Sequence, residues 1–96
     1  MKVEYSNRAT ADLRKVSNAS RPYGEAVTAA VEARIRQVVA QIAEHPEAAP
    51  RVEDRPGVHV IPLIRFPYKI FYRILTDRIR ILHIRHTSRR PWPPGR

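Results

Sequence analysis

Residues 65–90, RFPYKIFYRILTDRIRILHIRHTSRR, limit what this chain can fold into more than any other stretch. Two runs in which apolar residues alternate with basic or polar ones meet at Thr76-Asp77, and a period of two belongs to half-buried strands. The expectation is a β-hairpin with Thr76 and Asp77 central in its turn. In that register Leu75 faces Arg78, Arg73 faces Arg80, Phe71 faces Leu82 and Lys69 faces Ile84. One face then carries Tyr68, Ile70, Tyr72, Ile74, Ile79 and Ile81 before giving way to His83 and Arg85. The other mixes Lys69, Phe71, Arg73, Leu75, Arg78, Arg80, Leu82, Ile84 and His86. Arg73 opposite Arg80 is a like-charge cross-strand pair, which costs on the order of a few tenths of a kcal/mol. Either the pair serves an anionic or acidic partner, or a loop longer than Thr-Asp shifts the register.

The N-terminal half supplies what would cover such a sheet. Lys2–Tyr5 reads as a short strand, and Ser6 as the N-cap of a helix in which Ala9, Leu13 and Val16 recur at helical spacing. That helix should end near Asn18–Ser20. A longer one should begin at Pro22 or Tyr23, with Ser20 as its cap, and stop before His45-Pro46. Val27, Val31, Ile35, Val38 and Ile42 form its apolar stripe, and the short link between the helices implies an antiparallel hairpin. Residues 46–57 are a loop by composition. Val58–Ile64 resumes an extended run that Pro62 interrupts, marking it as an edge strand or one bulged at that point. The expected fold is therefore α+β, in the order β-α-α-β-β-β, with a small antiparallel sheet covered on one face by the helical hairpin. Residues 1–90 form its single domain and residues 91–96 a basic, Pro-rich tail.

Charge is the bulk property with most bearing on function. The net value is +9, and it is unevenly placed. Residues 1–50 hold seven Lys/Arg against six Asp/Glu, whereas residues 51–96 hold eleven against three. So one-sided a field suits nucleic acid, a ribosome-like surface or an acidic protein. Arg outnumbers Lys fifteen to three, which suits bidentate contact with phosphate or carboxylate, although a GC-rich genome would produce the same ratio. Cysteine is absent and there is no run of about 18 apolar residues, so neither a disulfide framework nor a membrane span is expected. The N-terminus also lacks the apolar core of a signal peptide, and the expected location is the cytoplasm.

Catalytic motifs are sparse. Gly24, Gly57 and Gly95 are too scattered for a phosphate loop, and Ser88 sits in no nucleophile motif. Of the four histidines only His83 and His86 are close, with no carboxylate beside them in sequence, so no metal and no cofactor is expected. What remains is a basic set, Lys69, Arg73, Arg80, Arg85, His86, Arg89 and Arg90, with Tyr68, Phe71 and Trp92 as stacking groups. It could hold phosphates or RNA bases, with His86 moving a proton at a scissile phosphate, or dock an acidic protein. About half of these residues fit an ordinary solvated face with snorkelling Arg stems.

Several strings resemble the RelE/ParE toxins of bacterial type II toxin–antitoxin modules. VEYSNRATADLRKV is similar to their opening, GVHVIPLIRFPYKIFYRI to their middle strands, and IRILHIRHTSRRP to the ParE ending, with Ile84, His86 and Arg89 in its pattern. The RelE-like ribonuclease branch carries two lysines whose places here are taken by Val60 and Pro62, while Lys69 and Arg89 match two further basic positions. A Tyr or His in the C-terminal segment completes the site of that branch; here the tail has Trp92 and no Tyr, and His86 lies earlier. The resemblance is thus closest to the ParE branch. It implies a gyrase inhibitor that is not itself an enzyme; the basic set read above, Lys69, Arg73, Arg80, Arg85, His86, Arg89 and Arg90, with Trp92, is then expected to bind the target. It also implies an antitoxin partner with an acidic, partly disordered C-terminal segment. A ribosome-dependent mRNA endonuclease using Lys69, His86 and Arg89 is the alternative, and a non-toxic RNA- or DNA-binding module a second.

Overall fold

The computed structural model describes residues 1–87. Four strands and two helices follow in the expected order: β1 (Lys2–Tyr5), α1 (Asn7–Ser20), α2 (Glu25–Glu44), β2 (Val58–Pro62), β3 (Tyr68–Ile74) and β4 (Arg78–His86). A 3₁₀ turn, Arg21–Tyr23, and Gly24 at φ 103° make the corner between the helices. Ser6 caps α1 as expected, its hydroxyl accepting from the Ala9 N–H at 3.0 Å. Ser20 does not cap α2. It ends α1 and ties the helices together through Thr28 at 2.9 Å, while Gly24 precedes α2.

The sheet order is β1-β4-β3-β2, so the long hairpin is central and the Pro62 strand lies at an edge. The α+β architecture is the expected one, but the sheet is mixed. β1 pairs parallel with β4, and the other pairs are antiparallel. A parallel neighbour needs a long crossover, and the two helices provide it. The β2 edge is partly covered by its own loop, where Val60 N–H donates to Pro50 O and Val52 N–H to Val58 O.

Val31, Ile35, Val38 and Ile42 of α2 and Ala9 and Val16 of α1 pack on Ile70, Tyr72, Ile79, Ile81 and Ile84 of the sheet. Val27, in the first turn of α2, is exposed. Tyr72 is fully buried; its ring stacks on His59 at 5.2 Å and its hydroxyl donates to Pro46 O. His59 in turn donates from Nδ1 to Ala49 O, which fixes its tautomer.

The hairpin begins in the expected register, with Ile74 opposite Ile79 and Arg73 opposite Arg80. It does not continue so. A β-bulge sets Tyr72 opposite Ile81 but Phe71 opposite His83, leaving Leu82 as the extra residue. Beyond it Ile70 faces Ile84, Lys69 faces Arg85 and Tyr68 faces His86. Directly opposed residues share a face, so the bulge exchanges the expected sides of four residues. Ile84 and His86 join Ile70 and Tyr68 on the helix face, and His83 and Arg85 join Phe71 and Lys69 on the other.

The reason lies at the edge of β4. β1 ends at Tyr5, and from there α1 supplies the partners. Ser6 N–H donates to Ile81 O at 2.9 Å and its hydroxyl donates to Leu82 O at 2.9 Å. Asp12 Oδ2 then accepts from Ile84 N–H at 3.0 Å and from His83 Nδ1–H at 2.6 Å. No carboxylate was expected near His83 and His86; the fold brings one from a position 71 residues earlier in the chain.

Asp12 and His83 are both buried. Asp12→Ala strands the Ile84 N–H and the imidazole N–H, and should destabilise the fold by about 2 kcal/mol or more in chemical denaturation. Burial holds the His83 imidazole below its usual pKa of 6.5, against the opposing pull of Asp12. The unfolded chain therefore takes up a proton that the folded one resists. Stability should be fully present above pH 6.5 and fall as pH drops below it. His83→Gln, which keeps a donor for Asp12, should remove that part of the slope.

Candidate functional site

Opposite the helices, the sheet presents three cross-strand rows. Pro62, Lys69 and Arg85 form one, Val60, Phe71 and His83 the next, and Val58, Arg73, Arg80 and Glu4 the third. This is where most of the expected basic residues meet, but they differ in what surrounds them.

Arg80 is neutralised. Its Nε lies 2.8 Å from Glu4 Oε1, and Arg78 Nε reaches the same oxygen at 2.9 Å. The bonds from Arg78 and Arg80 hold the Glu4 carboxyl below the usual carboxylate range. The like-charge pair Arg73–Arg80 thus exists in the register expected, and β1 relieves it. Arg73 lies along the β2 side, where its guanidinium closes on Gly57: a Cβ built there would stand 3.2 Å from Nη1, and the glycine's φ of 77° further disfavours a side chain.

The sequence hides a second like-charge pair, which the bulge creates. Lys69 stands opposite Arg85, and among the described residues no carboxylate pairs with either, nor with Arg73. Lys69 Nζ sits 5.7 Å from the centroid of the Phe71 ring, which also stacks on the imidazole of His83 at 5.9 Å. Two of these unpaired cations, Lys69 and Arg85, therefore lie side by side next to the β2–β3 turn. Lys69 lies over an aromatic ring and has Arg85 as its cross-strand neighbour, and two adjacent cations can hold a phosphate or a carboxylate.

His86 is not part of that set. It meets the Tyr68 ring edge-on at 5.3 Å, on the helix face. Arg89, Arg90, Trp92 and the proposed domain end at residue 90 lie outside the described residues. Two participants escaped the sequence reading. Glu4 looked like one residue of a short strand, and its role follows from a parallel pairing no local pattern signals. Asp12 did carry a signal, because it shares the buried stripe with Ala9 and Val16 at spacings of three and four.

Among the described residues no group of three or more His, Cys, Asp or Glu is placed to hold a metal ion, and no helix is long and apolar enough to cross a membrane.

The model of the ParE toxin of the type II toxin–antitoxin system parDE matches residues 3–91. The chain belongs to the ParE toxin family. It is a toxin of the type II toxin–antitoxin class, and an antitoxin partner goes with that membership. Among solved structures it is similar to the chromosomal ParDE system of P. aeruginosa, with 26% identity over 92% of this chain and 97% of that one, at a TM-score of 0.76. The isolated E. coli RelE toxin shares the fold at a TM-score of 0.66 and 17% identity, covering 93% of this chain and 86% of that one. The toxin–antitoxin complex RelBE of E. coli matches at 0.68 and 16%, over 92% and 98%. No curated protein matches.

Lys69 serves binding at the expense of the fold if this site takes an anion. Lys69→Gln should leave stability unchanged or raise it by about a few tenths of a kcal/mol in chemical denaturation. A marked loss would instead make Lys69 a structural residue.

Proposed function

We propose that this ParE-family toxin arrests growth by docking on DNA gyrase in the cytoplasm, without catalysing a reaction itself. Its cognate antitoxin neutralises it by laying an acidic, partly disordered C-terminal segment over the basic half of the chain. The observation that carries this reading is the register of β3 against β4. Lys69 opposes Arg85 and Tyr68 opposes His86, so Lys69 and His86 leave the sheet on opposite faces. A ribonuclease centre built on Lys69, His86 and Arg89 needs them to converge on one phosphate.

The neighbouring edge strand adds support. Val60 and Pro62, where the RelE-like branch has lysines, lie beside Phe71 and Lys69 in register. They bring no charge to the row. The cations that remain, Lys69, Arg73 and Arg85, suit a docking surface, to which Arg89, Arg90 and Trp92 of the C-terminal segment would add.

Induced expression in bacterial cells, with plasmid supercoiling and growth followed together, tests the proposal. Arrest with relaxed or cleaved plasmid is expected, and a stable Arg89→Ala protein should arrest growth less. Arrest with normal supercoiling and cleaved mRNA would move the target to the ribosome. Tight, salt-dependent binding to bare nucleic acid without arrest would leave a non-toxic binding module.

A further inference from the structure

The turn between β2 and β3 holds an isoleucine in a position that folding alone does not favour. Ile64 has a φ of 71°, in the left-handed region, where a β-branched side chain is strained. Arg65 N–H donates to Leu63 O at 2.8 Å across it, so Ile64 is the centre of a γ-turn of the rarer, strained hand. A turn that only had to reverse the chain would be cheaper with Gly or Asn at this place. The side chain gains nothing from burial, being 80% exposed.

The turn is also rigid. Leu63, fully buried, anchors it; its N–H donates to Tyr68 O at 2.9 Å, and its carbonyl accepts from Arg34 Nε of α2 at 2.9 Å as well as from Arg65. At the other end Thr87 N–H donates to Pro67 O at 2.7 Å, which ties the turn to the end of β4. A large apolar side chain is thus fixed in solvent by a frame that determines its direction. Its surroundings are basic. Arg65 follows it, the row of Lys69 and Arg85 adjoins the turn through Pro62, and no acidic residue occurs between Pro62 and Leu75.

We infer that Ile64 is a protein-docking knob that enters an apolar socket ringed by carboxylates on the toxin's protein target. A preformed aliphatic knob suits a folded socket, because its ordering cost has already been met in the free protein. The basic rim from Arg65 to Arg85 fixes the sign of the charge around that socket. The inference rests on a protein target but not on that target being gyrase.

Ile64→Gly tests it, since glycine adopts this backbone without strain and removes the knob. The variant should melt at the wild-type temperature or higher, while the expression level needed for growth arrest rises by at least about thirty-fold, the loss expected for a truncated hot spot. Its affinity for the co-expressed antitoxin, and for a purified DNA duplex, should stay at the wild-type value. Ile64→Asn, polar but tolerant of the same φ, should behave alike. Unchanged arrest by either folded variant overturns the inference. So does a loss of antitoxin binding, which would place Ile64 in that interface, or a loss of duplex binding, which would make it a wedge for nucleic acid. If the wild type arrests growth with normal supercoiling, the gyrase assignment fails while the knob is still judged by its own variants.

Discussion

The edge of β4 beyond the end of β1 is the point on which this structure turns. A strand there has backbone groups that must be paired, and the first strand is too short to reach them. Ser6 and Asp12 stand in for the missing strand. Ser6 ends β1, caps α1 and donates to the carbonyls of Ile81 and Leu82; Asp12 accepts from the N–H of Ile84 and from the His83 ring. Helix, sheet and bulge are thereby joined by two short polar side chains. Because Leu82 is held out of the ladder on this side, the second half of β4 changes face.

The Lys69–Arg85 pair on the outer surface follows from that change. Arg85 is brought opposite Lys69, and Ile84 is delivered to the core opposite Ile70, in place of His83. A like-charge pair on a sheet is a cost, and the two such pairs here are treated differently. Arg73–Arg80 has Glu4 beside it, whereas Lys69–Arg85 has no described carboxylate. The pair without a described carboxylate therefore stands at one end of the sheet, next to a turn that presents Ile64. The acidic antitoxin segment proposed above would meet a surface of that sign in Lys69 and Arg85.

Much of this was legible in the residues. The alternation in 68–86 located two strands, Pro62 located an edge, and Ser6 and His45-Pro46 bounded the helices, because these signals depend on local sterics and hydrogen bonding. The stripe of Val31, Ile35, Val38 and Ile42 gave the buried side of α2 for the same reason. The resemblance carried by the opening, middle and closing strings named the family that the whole-chain match then supports.

What the residues alone determined was thus the inventory of elements and their buried stripes, since both arise between neighbours in sequence. What only the tertiary structure decided was which polar groups meet. Asp12 reaches His83 and Glu4 reaches Arg80 across separations of more than seventy residues, and the parallel placement of β1 decides both. The bulge at Leu82 could not be read from β4 itself. A strand's period of two says only that faces alternate, and the slip that resets them is stabilised by partners on another element.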